Sequence, residues 1–158
     1  HKALGKGISS NEEPSPYYQQ GGLPKLLDGV AGTTPRINAE WLGWSGKDLS
    51  ILIDLGEDQL LNAVSLHTLR EEKSWIYLPG EIDIQVGTSL DNFIAAKKMS
   101  AMEMESGYRE NMPLDLRFDN MILGRYIQIK LRAAPRIPEG KPGAGEPAWL
   151  FLSEIAVD

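Results

Sequence analysis

Two histidines and no cysteine among 158 residues leave this chain few ways to activate a nucleophile or hold a soft metal. A hydrolase or transferase needs an activated nucleophile, an acid/base pair or a metal-bound water. His67 is the single histidine beyond the first residue, so neither a histidine-rich zinc site nor an H-E-x-x-H motif can form. Gly43-Trp44-Ser45-Gly46-Lys47 falls short of G-x-S-x-G and precedes a strand pattern instead of following one. Gly140–Gly145 is glycine-rich but lacks the strand-to-helix context and spacing of a phosphate loop, so it reads as surface loop. Glu71 and Glu72 are adjacent carboxylates that point apart on a strand or turn and read as solvated charge. No catalytic constellation emerges, and a binding domain is expected in place of an enzyme.

Oxygen donors are better placed. In Lys25-Leu26-Leu27-Asp28-Gly29-Val30-Ala31-Gly32-Thr33, the glycines at 29 and 32 allow a tight turn in which several carbonyls converge. Asp28 adds a carboxylate, Thr33 a hydroxyl or carbonyl, and Glu154 near the chain end a second acid; hard oxygen ligation of this kind suits calcium. On spacing alone the plainer account stands, in which Asp28-Gly29 is an ordinary turn and Glu154 a surface acid.

The elements that must carry these groups read as strands. Leu49–Leu55 has apolar residues at every odd position, Glu81–Val86 alternates likewise, and Arg125–Arg132 places Ile127, Ile129 and Leu131 on one face. Val64–His67 and Leu150–Val157 are further strand candidates, and Leu23–Asp28 is the one brief helical stretch. Connections at Pro14–Gly22, Gly43–Lys47, Ser89–Asn92 and Ile137–Pro147 are rich in turn formers. The pattern predicts an all-β sandwich, with function carried by its end loops. No internal repeat or domain boundary is visible, so residues 1–158 are expected to form one domain around one core. The formal charge of -6 removes general attraction to nucleic acid or anionic lipid. No apolar run reaches the length of a membrane span, and residues 1–10 lack a signal-peptide pattern. A start at His1 without Met points to a fragment of a longer protein.

A series of short motifs is similar to the discoidin, or coagulation factor 5/8 type C, domain. It runs through Leu27-Asp28-Gly29, Trp41, Ile53-Asp54-Leu55-Gly56, Val86-Gly87-Thr88-Ser89-Leu90-Asp91-Asn92-Phe93, Gly124-Arg125-Tyr126-Ile127 and Leu152-Ser153-Glu154-Ile155. The resemblance implies a jelly-roll sandwich of the galactose-binding-domain-like type, in which calcium ties an early loop to the last strand. The ligands it implies are the carbonyl of Lys25, the Asp28 side chain, the carbonyl of Val30, Thr33, the carbonyl of Ser153 and the Glu154 side chain. Trp41–Leu49, Ser74–Pro79 and Ala148–Phe151 also resemble the accessory domain that follows the catalytic barrel in Bacteroidetes β-hexosaminidases of glycoside hydrolase family 20. The loop at Pro138–Pro142 departs from the aromatic and histidine character of those relatives.

Similar modules of carbohydrate-binding family 32 place their sites on end loops, and sugar recognition stacks a pyranose on an exposed ring while polar side chains bond its hydroxyls. The candidate contacts are Trp44, His67, Arg70, Trp75 and Tyr77; Trp41 and Trp149 adjoin strands and are assigned to the core. The resulting expectation is a non-catalytic module binding a galactose or N-acetylhexosamine type of glycan. Its parent would be a secreted, periplasmic or cell-surface bacterial glycoside hydrolase of β-hexosaminidase type. The alternative is a structural module that packs against the parent's catalytic domain through Trp75–Tyr77 and binds no sugar.

Overall fold

The computed structural model describes residues 1–158. Seven strands are formed: β1 (Gly7–Ser10), β2 (Leu42–Ser45), β3 (Leu49–Thr68), β4 (Glu81–Ser89), β5 (Asn92–Ser100), β6 (Leu114–Arg132) and β7 (Trp149–Val157). They pair antiparallel in the order β2-β7-β3-β6-β4-β5, with β1 added to β3. The expected all-β jelly-roll sandwich is therefore the observed class of fold.

Two expected strands prove to be one. Leu49–Leu55 and Val64–His67 are halves of the 20-residue β3, joined through Gly56–Leu60, where the apolar alternation lapses. The first half pairs with β1 and with the C-terminal half of β6; the second pairs with the N-terminal half of β6 and with β7. Register shifts at Asp54/Gln59 and Leu61/Ala63 mark the bend between the halves. Bulges of this kind turn a sheet back on itself. Two layers result from one continuous sheet, and the alternating apolar residues of both face inward. The core is a cluster of 29 buried residues, including Ile51, Ile53, Ile84 and Ile129 from one layer and Leu66, Leu116, Leu152 and Ile155 from the other.

The brief helix expected at Leu23–Asp28 is a 3-10 turn, Leu23–Leu27, whose leucines all enter this core. Two short helices lie outside the expected elements: α1 (Ile37–Glu40) and α2 (Ala101–Gly107). The second opens on a capping box, with Ser100 accepting from the Glu103 amide and Glu103 accepting from the Ser100 amide. β5 was also illegible, because an edge strand carrying Lys97 and Lys98 buries too little to alternate.

At the bend, Asp54 accepts from Arg125 Nε at 2.7 Å and Nη2 at 2.9 Å, and from the amide of Gly56 at 2.8 Å. Gly56 has φ +88°, a conformation that glycine adopts without strain. The Arg125 guanidinium, followed by the Gly56 amide, brings the Asp54 carboxyl down to about 2. A carboxyl depressed in the native state stabilises the fold above its unfolded value, near 4, and that contribution is lost as pH falls towards 2. Asp54→Asn is expected to cost about 0.5–1 kcal/mol at neutral pH, the discounted value for a half-exposed pair. That corresponds to roughly 1–4 °C in melting temperature for a chain of this size. The difference from the parent should shrink between about pH 4 and pH 2, and equal melting curves at pH 7 would contradict the clamp.

Candidate functional site

Two groups of candidates sit on the sandwich. The first is the turn that follows Leu23–Leu27, closed against β7. Both Glu154 oxygens accept from the amide of Gly29 at 3.1 Å, and Oε1 lies 2.9 Å from His1 Nε2. Asp28 accepts from the Val30 amide at 2.8 Å and lies 3.5 Å from Lys25 Nζ. Glu154 is 8% exposed, and burial, reinforced by the Asp28 charge, pushes its carboxyl up to about 7. A carboxyl raised in the native state costs stability increasingly as pH rises from about 4.5 to 7, and the full penalty persists above 7.

Ser153 is the extra residue of a β7 bulge, since Glu154 pairs with His67 and Leu152 with Thr68. Its hydroxyl accepts from the Gly32 amide at 2.9 Å and lies 2.6 Å from His67 Nδ1. Burial lowers the imidazole pKa, outweighing the opposing influence of the Asn111 backbone, and so favours the neutral ring. His67 is 4% exposed and stacks on Trp41 at 5.1 Å between centroids. It fastens the turn to β7 and, at this burial, presents almost no surface of its own, which sets it apart from the other expected sugar contacts.

Of the six candidate metal ligands, Asp28 and Glu154 come together and Ser153 adjoins them. Thr33 is drawn elsewhere: its hydroxyl donates to Glu40 at 2.8 Å and its carbonyl accepts from the Trp41 indole at 3.1 Å. No cluster of three acidic or histidine side chains is present, so a cation here would depend on carbonyls, those of Lys25, Val30 and Ser153 among them. The two acids are the hard oxygen donors of this turn, and the groups that partner them are nitrogens: the amides of Gly29 and Val30, the His1 ring and the Lys25 ammonium.

The second group lies at one end of the sandwich, over a cluster of Trp41, Leu69, Ile76 and Phe151 against which Tyr18, Ile37 and Trp149 pack. Trp149 donates its amide to the Trp75 carbonyl at 2.7 Å, and Tyr77 donates to the Trp149 carbonyl at 3.0 Å, which fixes the 75–77 segment beside β7. Trp75 has φ +65°, uncommon for a bulky residue and a sign that its surroundings hold it there. Its ring is 36% exposed; the other side lies on Gly143, where an added Cβ would come within 2.3 Å of the indole. The glycine-rich 140–145 stretch, expected as free surface loop, is thus a support for Trp75. Lys141 holds it further through Glu72 at 2.9 Å, which also shows that Glu72 is paired.

The other candidates are placed differently. The sequence pattern sets Trp44 in a turn, but it lies in β2, 1% exposed, with its indole donating to the Glu12 carbonyl at 3.1 Å; it is core and not a ligand contact. Tyr77 is half-buried, its hydroxyl without a partner, and burial raises its pKa. Arg70 turns towards α2, pairing with Glu105 and lying 5.0 Å from the centre of the Tyr108 ring. Sequence reasoning passed over Tyr17, the most exposed aromatic at 82%. The adjacent tyrosines in the proline-rich 14–22 connection were its signal: Tyr18 packs on Trp149 and Phe151, leaving Tyr17 outward.

No protein-family model and no curated protein matches the chain in sequence. Its architecture is shared with solved carbohydrate-binding structures. Chitosan-binding module 2 of a chitosanase/glucanase from Paenibacillus sp. IK-5, in complex with chitotriose, superposes with a TM-score of 0.62 at 16% identity, over 99% of this chain and 98% of that one. A family 32 module from a family 31 glycoside hydrolase of Clostridium perfringens gives 0.61 at 16% identity, over 96% and 88%. A Streptococcus pneumoniae fucose-binding module gives 0.62 at 15%, over 99% and 92%. At such identities the likeness is one of fold, and that fold is the galactose-binding-like β-sandwich.

The different burial of the tryptophans has a measurable consequence. Trp44→Ala is expected to cost about 3–5 kcal/mol in denaturant unfolding, as large deletions from a packed core do. Trp75→Ala should cost less than about half as much, since only one face of its ring is covered. Equal losses at the two positions would show that Trp75 is a core residue.

Proposed function

We propose that this chain is a non-catalytic carbohydrate-binding module. One observation carries the reading: an outward tryptophan, Trp75, is mounted on a backed loop at the end of a sandwich shared with sugar-binding modules. A half-exposed indole offers an apolar plane for a pyranose C–H face, and Tyr17 beside the same aromatic cluster offers a second. The ligand class is a neutral galactose or N-acetylhexosamine type of glycan. The parent would be a secreted bacterial glycoside hydrolase of β-hexosaminidase type, whose catalytic domain the module holds near its substrate. A second reading, packing against that domain without sugar binding, is favoured by Tyr77, whose hydroxyl is buried without a partner, and by Arg70, whose guanidinium is already paired with Glu105.

Calcium belongs to the same proposal. Asp28 and Glu154, with the carbonyls of Lys25, Val30 and Ser153 but without Thr33, would hold it, and the ion would supply a cross-link between the turn and β7. The amide of Gly29 and the side chain of His1 also partner Glu154.

Addition of calcium to chelator-treated protein is expected to raise the melting temperature, with about 2.7 kcal/mol gained at a hundredfold excess over the dissociation constant. Glu154→Gln should abolish that shift. Identical melting with calcium and with chelator would remove the metal from the proposal.

Titration with galactose and N-acetylglucosamine should give millimolar to high micromolar binding, because little surface is covered on a single exposed ring. Trp75→Ala should remove most of it and Tyr17→Ala part of it, with folding retained. Binding unaffected by both substitutions, or no binding by the parent chain, would favour the packing reading.

A further inference from the structure

The largest hollow on the molecule, about 390 Å³, is not at the aromatic end but on the outer face of the layer formed by β3, β6, β4 and β5. Register explains its composition. Ser50, Lys130, Asp83 and Lys98 are successive cross-strand neighbours, so their side chains form one row across four strands. Arg132 and Glu81 form the next pair. Ile82 and Ile84, between and beyond these acids, point the opposite way into the core, so the row cannot turn inward.

The charges in the hollow are held loosely. Asp83 lies 4.0 Å from Lys98, and Glu81 lies 3.8 Å from Arg132. Lys130 is exposed and has no ion-pair partner. Asp48 is occupied by the amide of Ala133 at 2.8 Å. One oxygen of Asp83, a side chain only 16% exposed, is shut off from solvent without any donor. Buried acceptors are nearly always satisfied, so this one marks unmet hydrogen-bonding capacity beneath the long, mobile side chains of Lys98 and Lys130.

Three cations and three carboxylates line the hollow, so neither an anionic nor a cationic ligand gains overall. A neutral vicinal diol satisfies both signs at once: one hydroxyl donates to a carboxylate while its neighbour accepts from an ammonium. We propose that this hollow is a second saccharide site, separate from the Trp75 end, in which adjacent hydroxyls of a neutral hexose bridge Asp83 and Lys130 as Lys98 swings aside. Without an aromatic plane, recognition there is by the edge of the sugar and not by its face. The proposal does not depend on the Trp75 reading, because the two sites share no residue.

The test is an NMR titration of the intact chain with the methyl glycosides of galactose, glucose and mannose, alongside galacturonate and galactosamine. At least one neutral glycoside should shift the amides of residues 48–50, 81–85 and 128–132. Asp83→Asn and Lys130→Ala should each weaken those shifts at least tenfold in affinity, while Trp75→Ala leaves them intact. Shifts confined to residues 69–77 and 140–148 would overturn the second site while leaving the loop reading standing. Neutral-sugar binding at the hollow that both Asp83→Asn and Lys130→Ala leave unchanged would also overturn it, as would response only to the charged sugars or to none.

Discussion

β3 and β6 pair with each other twice, once on either side of a corner, and nearly every other feature of the molecule follows from that arrangement. Antiparallel strands joined by hydrogen bonds normally lie in one layer. Here the register slips after Asp54 and again after Leu61, so the same two strands serve as the centre of both layers. β4 and β5 then extend one layer, and β7 and β2 the other. The corner is fixed by the bidentate Asp54–Arg125 pair on the outside and by a close approach within. Gly124 sits where an added Cβ would fall 2.2 Å from Val86 Cγ1, so only glycine lets β6 pass so near β4.

The other end depends on a comparable close approach. A Cβ on Gly32 would lie 2.6 Å from the Trp41 indole nitrogen and 3.0 Å from Ser153 Cβ, so the turn after Leu27 reaches β7 only because that position is bare. His67, stacked on Trp41 and bonded to Ser153, completes the junction. The same junction carries Glu154 out of water and beside Asp28. Burying a carboxylate opposes folding unless a partner compensates, so the turn's polar chemistry is strongest where its packing is tightest.

Much of this was legible in the sequence where period and spacing report directly on burial. The alternation in Leu49–Leu55, Glu81–Val86 and Ile127–Leu131 reads out three central strands because one face of each lies in the core. The motif series reads well for a structural reason: its members touch in pairs, Asp54 with Arg125 and the Asp28-Gly29 turn with Glu154. The bend within β3 was not legible, because exposed residues at a corner lose alternation just as a loop does. Nor was the fate of the aromatics. Trp44 lies within Gly43-Trp44-Ser45-Gly46 and looks free, yet β2 pairs with β7 and buries it, whereas Tyr17 is exposed because Tyr18 takes the packing position. Local composition distinguishes turn from strand; it does not say which side of a turn the sheet will cover.

That division of the aromatics limits how recognition at the loop end can work. Trp41 and Trp44 are buried and Trp149 packs against Tyr18, so of the four tryptophans Trp75 is the most exposed, at 36%. A single half-exposed ring can shield little of a sugar from water, and the groups around it stay solvated. Under the proposed function, weak monovalent binding would still serve a tethered module, because the tether would raise the effective concentration of glycan at a linked catalytic domain without any new contact. The outer-face hollow fits the same logic. A polar site and an aromatic one on different surfaces of one sandwich can engage separate units of an extended glycan, and two weak contacts on one rigid frame hold it far longer than either alone.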